Sequence, residues 1–274
     1  MKKNATLLLM MVFGLTWNAH AHTLVTTFSG QHTVWSKMPI PYWINQSGSP
    51  QFVNGSEFSA IHAAFRSWQE VPTAGISFQY MGTTPIRTVG QDGYNVITFA
   101  DETAPVGSDV AASVFIYYDP NSGGTLIKEV DIALNPRVDW STSGEPGKWD
   151  VQGILTHSIG HLLGMDHSAM LSSVMTPYSG PERLDQRVLT YDDMAGVTGL
   201  YPNQPAVAGL GSISGTVYSG STPVFGAHVV AMDFVGTPLV STLTWPDGAY
   251  RLNYLEREPW YKTFAQRFVK PRQP

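Results

Sequence analysis

Three histidines in one short stretch constrain this chain more than any other feature. His157 and His161 are four residues apart, and His167 follows Gly164 in the run Leu155-Thr156-His157-Ser158-Ile159-Gly160-His161-Leu162-Leu163-Gly164-Met165-Asp166-His167. Residues four apart on a helix project from one face, about a turn from each other. Glycine enters the left-handed backbone region without steric cost, so Gly164 can end that helix and turn the chain. His167 can then return towards the first two. Three neutral imidazoles with a fourth position open form the donor set of a catalytic zinc.

The 274-residue chain is 43% hydrophobic and 12% aromatic, which suits a packed core in one large domain or two moderate ones. Lys2 and Lys3 precede an apolar run from Ala5 to about Trp17, and Ala19 and Ala21 supply small residues at a cleavage position. Residues 1–21 therefore read as a secretory signal peptide, too short for a bilayer span. No later run is long and apolar enough to cross a membrane. A secreted protein, extracellular or periplasmic, is expected, and a monomer. Without Lys2 and Lys3 the 16 basic residues fall to 14 against 21 acidic ones, a charge of about −7. A mildly acidic surface without a Lys/Arg cluster argues against a nucleic-acid partner. There is no cysteine, so neither a disulfide nor a thiolate ligand enters the reading.

Residues 34–35 and 40–44 read as a first strand, entered through Pro39 and Pro41. Asn54-Gly55 makes a turn and Ser56 is the predicted N-cap of a helix. Phe58, Ile61, Phe65 and Trp68 recur at three and four residues, so that helix is amphipathic and runs to about Glu70. His62 lies beside the apolar stripe and reads as a boundary histidine satisfied by its neighbours. Residues 76–80, 95–99, 113–118 and about 127–134 are β-branched and aromatic runs between turns, hence strands. Asp150 caps the histidine helix, Thr190 and Asp193 have the spacing of a variant capping box, and a last helix ends near Tyr201. Helices among several strands predict an α+β domain with helices packed on a twisted mixed sheet.

With these residues in view, the chain resembles the metzincin metallopeptidases, specifically the matrixin-like group. That pattern is H-E-x-x-H-x-x-G-x-x-H followed by a methionine turn, and His157, His161, Gly164, His167 and Met175 match it in order and spacing. The supporting match covers residues 35–201. The resemblance implies a zinc metalloendopeptidase acting on protein or peptide substrates through zinc-bound water. It implies that His157, His161 and His167 bind zinc, that Met175 forms the floor beneath it, and that Pro177 and Tyr178 line a substrate pocket. For Tyr178 a core position without substrate contact stays open. Residues 113–118 look like the edge strand that pairs with an extended substrate.

One position departs from the pattern. Ser158 stands where the motif carries its catalytic glutamate, the general base. A serine hydroxyl stays protonated near neutral pH, and losing a positioned base costs about 10²–10⁴-fold in rate. Metal binding should survive, because no ligand is lost. The expectation is a weak or inactive peptidase; the alternative is a non-catalytic zinc-containing pseudopeptidase that binds peptides. With no cysteine in the sequence, the thiolate latency of many matrixins is not expected. No histidine lies between His62 and His157, so a second, structural zinc is not expected either. Calcium in the loops of residues 101–135 stays open.

Residues 22–202 thus read as the matrixin-like domain and residues 203–211, rich in Pro, Ala and Gly, as a linker. Residues 212–255 alternate short strands with turns, Pro246-Asp247-Gly248 among them. They resemble part of a carboxypeptidase regulatory-like, prealbumin-like β-sandwich. Residues 256–274 change to charged and aromatic sequence and read as an atypical tail. An incomplete sandwich leaves an open edge, so marginal order is expected after about residue 212.

Overall fold

A computed structural model describes residues 24–27, 30–99, 110–257 and 260–267. The proposed signal peptide, residues 1–21, lies outside the described residues. So do residues 101–109 of the loops in which calcium was left open.

The first part of the chain contains strands β1 (Val34–Trp35), β2 (Ile40–Asn45), β3 (Phe78–Thr84), β4 (Val96–Thr98), β5 (Ala112–Tyr118) and β6 (Leu126–Leu134). Helix α1 (Ser56–Gln69) falls between β2 and β3. The short pair β7 (Trp140–Ser141) and β8 (Trp149–Asp150) leads into α2 (Val151–Leu162), and α3 (Tyr191–Leu200) follows. β6 is central. One of its sides pairs antiparallel with β5 over its whole length, and the other pairs parallel with β1 and then β4. β4 continues to β2 and β3, all parallel. The sheet is therefore mixed, with β5 as its one antiparallel member at an edge. This is the α+β arrangement expected from the alternation of strand runs and helical periodicity.

The core lies between this sheet and the two long helices. Ile61, Ala64, Phe65 and Trp68 of α1 and Val151, Leu155, Ile159 and Leu162 of α2 are buried against Ile40, Ile44, Ile97 and Ile132. The apolar stripe read from the spacing is thus the face that packs. Trp68 also donates its indole N–H to the Thr156 carbonyl at 2.7 Å, which fixes α1 against the turn just before His157. His62 bonds Tyr42 Oη through Nδ1 at 2.8 Å, as a satisfied boundary histidine would.

Several local details differ from the sequence reading. The expected first strand is two strands with different neighbours, since β1 joins β6 whereas β2 joins β3 and β4. β3 begins two residues later than expected and runs on to Thr84. The N-cap of α1 is Gly55, in the left-handed region at φ 67°, rather than Ser56. Asn54 accepts the Ser56 N–H through Oδ1 at 3.1 Å, and this Asx turn places Ser56 inside the helix. Within the expected linker, Gln204–Val207 forms one short helical turn, α4.

Beyond it come β9 (Gly211–Thr216), β10 (Tyr218–Ser219), β11 (Thr222–Pro223), β12 (Ala227–Met232), β13 (Pro238–Leu243), β14 (Ala249–Leu255) and β15 (Lys262–Arg267). β9 pairs with β14 and β10 with β11, while β13, β12 and β15 form a three-stranded sheet. β15 falls in the expected tail. Its pairing satisfies the open edge of β12 with backbone groups, and residues 262–266 are all exposed, so no apolar alternation marks it. A small core of Val229, Ala231, Val240, Leu252 and Leu255 closes this region and includes Ala195 of α3.

Amide exchange should be faster in β10, β11 and β15, which bury little, than in β4 and β6, which lie in the main core. Hydrogen-exchange mass spectrometry checks this, and protection of β15 equal to that of β6 would contradict it.

Candidate metal centre

Helix α2 positions the first two histidines and is anchored at both ends. Asp150 caps its start, accepting from the Gly153 N–H at 2.7 Å. Arg187 binds the same carboxylate through Nε at 2.9 Å and Nη2 at 2.5 Å, and donates to the Thr142 carbonyl at 2.8 Å. At the other end the Gly164 N–H bonds the His161 carbonyl and the Met165 N–H bonds the Gly160 carbonyl. This is a Schellman arrangement, with Gly164 at φ +93°. A Cβ on Gly164 would stand 2.2 Å from the Thr33 carbonyl oxygen, so glycine is required for space as well as for backbone angle. Trp35 donates to the Leu162 carbonyl and Tyr201 to the Leu163 carbonyl, satisfying the last turn.

The turn brings His167 back to α2. One ligand nitrogen from each of His157, His161 and His167 lies within 4.8 Å of the others, the one such cluster among the described residues. His157 Nε2 and His161 Nε2 are 3.0 Å apart. His157 Nδ1 faces the Val174 carbonyl at 2.8 Å and His161 Nδ1 the Met165 carbonyl at 2.9 Å. A carbonyl only accepts, so each Nδ1 carries the proton and each Nε2 presents a lone pair to the cluster. Burial first, and the neighbouring imidazoles second, pull His157 and His161 down to about 3 and His167 to about 4. The neutral form that binds a metal is therefore favoured. Three neutral imidazoles, two of them oriented by backbone carbonyls, fit zinc, whose bonds of about 2.0–2.1 Å require such convergence.

Met175 is fully buried directly under α2. A Cβ on Gly160 would come within 2.2 Å of its sulfur and 3.0 Å of Trp68, so the missing side chain makes room for the methionine. The turn that carries Met175 is held by Asp193. That carboxylate accepts from Ser173 Oγ at 2.5 Å, from the Val174 and Met175 amides at 2.9 and 3.1 Å, and from Thr190 N and Oγ1 at 2.8 and 2.7 Å. The Ser168 N–H donates to the Met175 carbonyl at 2.7 Å, joining the His167 arm to this turn.

Ser158 is buried, and its hydroxyl donates to the Ile154 carbonyl one turn back at 2.9 Å. Its proton is thus committed to the helix backbone. The carboxylate of Asp166, next to His167 in sequence, accepts the His167 amide at 2.7 Å, turned onto its own chain. Pro177 and Tyr178 follow the turn that carries Met175 and are both exposed, Tyr178 at 68%, so Tyr178 is not a core aromatic. β5 pairs only with β6 among the described strands, leaving its other edge without a strand partner.

Sequence reading missed Gly160 and the roles of Asp193, Arg187 and the Val174 carbonyl. The Thr190–Asp193 capping box is present, yet its spacing could not announce that the same carboxylate reaches the amides of Val174 and Met175.

Residues 34–202 match the family profile described as Matrixin. The chain is 26% identical to karilysin of Tannerella forsythia over 184 residues, 67% of this chain and 36% of that protein. It is 29% identical to metalloendoproteinase 1 of Glycine max over 150 residues, 54% of this chain and 46% of that one. Matrilysin of Rattus norvegicus matches at 38% over 63 residues, 23% of this chain and 24% of its own length. The chain thus spans less than half the length of these curated relatives.

Gly160→Ala should cost about 1–3 kcal/mol, because Met175 or α2 must shift; urea unfolding measures it, and an unchanged midpoint would refute the close contact. The lowered imidazole pKa values mean that the unfolded chain, near 6.5, binds more protons than the folded one as pH falls from about 6.5 towards 4. The metal-free protein should therefore lose stability across that window, seen as a lower Tm at pH 5 than at pH 7.

Proposed function

The chain belongs to the matrixin family, and from that premise we propose that it is a secreted zinc metalloendopeptidase scaffold whose turnover is weak or absent. His157, His161 and His167 hold the zinc, with Met175 as the floor beneath them. When bound, zinc would polarise a peptide carbonyl and lower the pKa of a water molecule. The remaining work falls to the chain. β5 offers its open edge to an extended peptide, and Pro177 with Tyr178 flanks the side chain beyond the cut. The proton transfer that the motif glutamate performs has no carboxylate at position 158. The observation that carries this reading is the Ser158 hydroxyl, buried and donating to the Ile154 carbonyl, where it can neither accept nor relay a proton as a base.

A second reading follows from the same geometry. An intact trio of histidines beside an open strand edge, without the base, is what a zinc-containing pseudopeptidase would use to hold peptides without cutting them. In both readings residues 1–21 direct export, residues 22–202 form the matrixin-like domain, and the strands from residue 212 form an appended partial β-sandwich. Export places the protein outside the cell or in the periplasm.

Ser158→Glu should raise chelator-sensitive cleavage of a broad protein substrate by about 10²–10⁴-fold. Activity that stays at the parent's level in a zinc-loaded, folded variant would show that the defect lies elsewhere. Tight peptide binding by the parent, without cleavage, selects the second reading.

A further inference from the structure

The third ligand is held differently from the other two. His157 and His161 sit on a capped helix, whereas His167 lies on a non-helical arm after the Gly164 turn. The next residue, Ser168, ties that arm to the body of the protein. Its N–H donates to the Met175 carbonyl, its Oγ accepts the Met170 N–H at 3.1 Å, and its hydroxyl proton goes to Asp192 Oδ2 at 2.6 Å. Asp192 lies in the first turn of α3 and is 2% exposed. Its other oxygen, Oδ1, accepts the backbone N–H of Ser241 in β13 at 2.7 Å. Ser241 is itself buried and sits opposite Val230 of β12. A carboxylate inside the protein thus bridges the arm of the third histidine to a strand far along the chain.

The rest of that interface is built to keep the strand in place. Ala195 of α3 shares the small apolar core with Val229, Val240 and Leu252. Tyr191 Oη donates to the Tyr254 carbonyl at 2.8 Å and accepts the Glu256 N–H at 3.1 Å. Removing the Ser241 donor would take one hydrogen bond from a buried carboxylate, and a bond lost to a buried acceptor is costly. Any shift of Asp192 that follows would be passed to Ser168 through their 2.6 Å bond.

We propose that Asp192 is a positioning residue through which the C-terminal strands hold the third metal ligand, so that those strands form part of the metal centre. The proposal rests on the reading of the three histidines as a zinc site. Outer contacts of this kind tune metal affinity by about 10–100-fold in other sites. Its consequence is a dependence of zinc affinity on residues 211–255, which no metal-binding pattern in residues 155–167 contains.

The test uses the full chain and zinc itself, with dissociation constants from competition against a chromophoric chelator. Ser168→Ala cuts the arm from Asp192, and Ser241→Pro removes the donor from β13, where that N–H points to Asp192. Each should raise the zinc Kd by about 10–100-fold, and the double variant no further than the larger single effect, because both break one chain of contacts. Tyr191→Phe cuts the neighbouring tether without touching Asp192; it should lower Tm and leave the zinc Kd unchanged. Cobalt(II) spectra of the same variants should shift for Ser168→Ala and Ser241→Pro and not for Tyr191→Phe. Zinc Kd values within twofold of the parent for both Ser168→Ala and Ser241→Pro overturn the proposal, whatever their Tm. A parent that holds no zinc, or a His167→Ala variant that binds as tightly as the parent, overturns the zinc reading and this proposal with it.

Discussion

Asp193 accepts hydrogen bonds from Ser173, from the amides of Val174 and Met175, and from Thr190, and through them it joins the start of α3 to the turn under the histidines. Thr190 is a local partner, in the capping box, whereas the turn of residues 173–175 comes from 18 to 20 residues away. The turn must place the Val174 carbonyl against His157 Nδ1 and the Met175 side chain against Gly160. Without Asp193 the Val174 amide would lose its acceptor, at a cost of about 1–3 kcal/mol, and the Met175 amide would keep only Ser173 Oγ at 3.0 Å. The carboxylate therefore sets the orientation of a histidine that it does not touch.

Around that constraint the centre is layered. Carbonyls of Val174 and Met165 choose the tautomer of His157 and His161, and burial keeps all three imidazoles neutral. Trp68 and Met175 press on α2 from below, at the point where only glycine leaves room. The rings of His157 and His161 are held by backbone carbonyls, while position 158, where the matrixin pattern carries a glutamate, holds a hydroxyl turned back on its helix. In the proposed reading metal binding and turnover separate physically: the first depends on nitrogen lone pairs and their supports, the second on a basic carboxylate.

Adjacent carboxylates divide the labour. Asp193 serves the turn that carries Met175, and its neighbour Asp192 faces Ser168 on one side and Ser241 on the other. Consecutive residues at the start of a helix point in different directions, so two acids there can serve two segments at once. The later strands are then more than an appended unit hanging from α4, since α3 contributes Ala195 to their core and Asp192 to their backbone.

Much of the centre was legible in the chain itself, because its signals are short-range. Two histidines at i and i+4, a glycine after them and a capping aspartate before them are local chemistry, and helix geometry alone places them. The amphipathic stripe of α1 and the β-branched runs were equally readable, since burial of one face is written as periodicity. The serine at position 158 was plain too, as no fold turns a hydroxyl into a carboxylate. Tertiary structure decided the rest. Gly160 matters because Met175 arrives beneath it, Asp193 because a distant turn brings amides to it, and β15 because β12 has an open edge; none of these partners is near in sequence. Hydrogen bonds and close contacts between distant residues carry no period and no spacing, so only the folded chain could assign them.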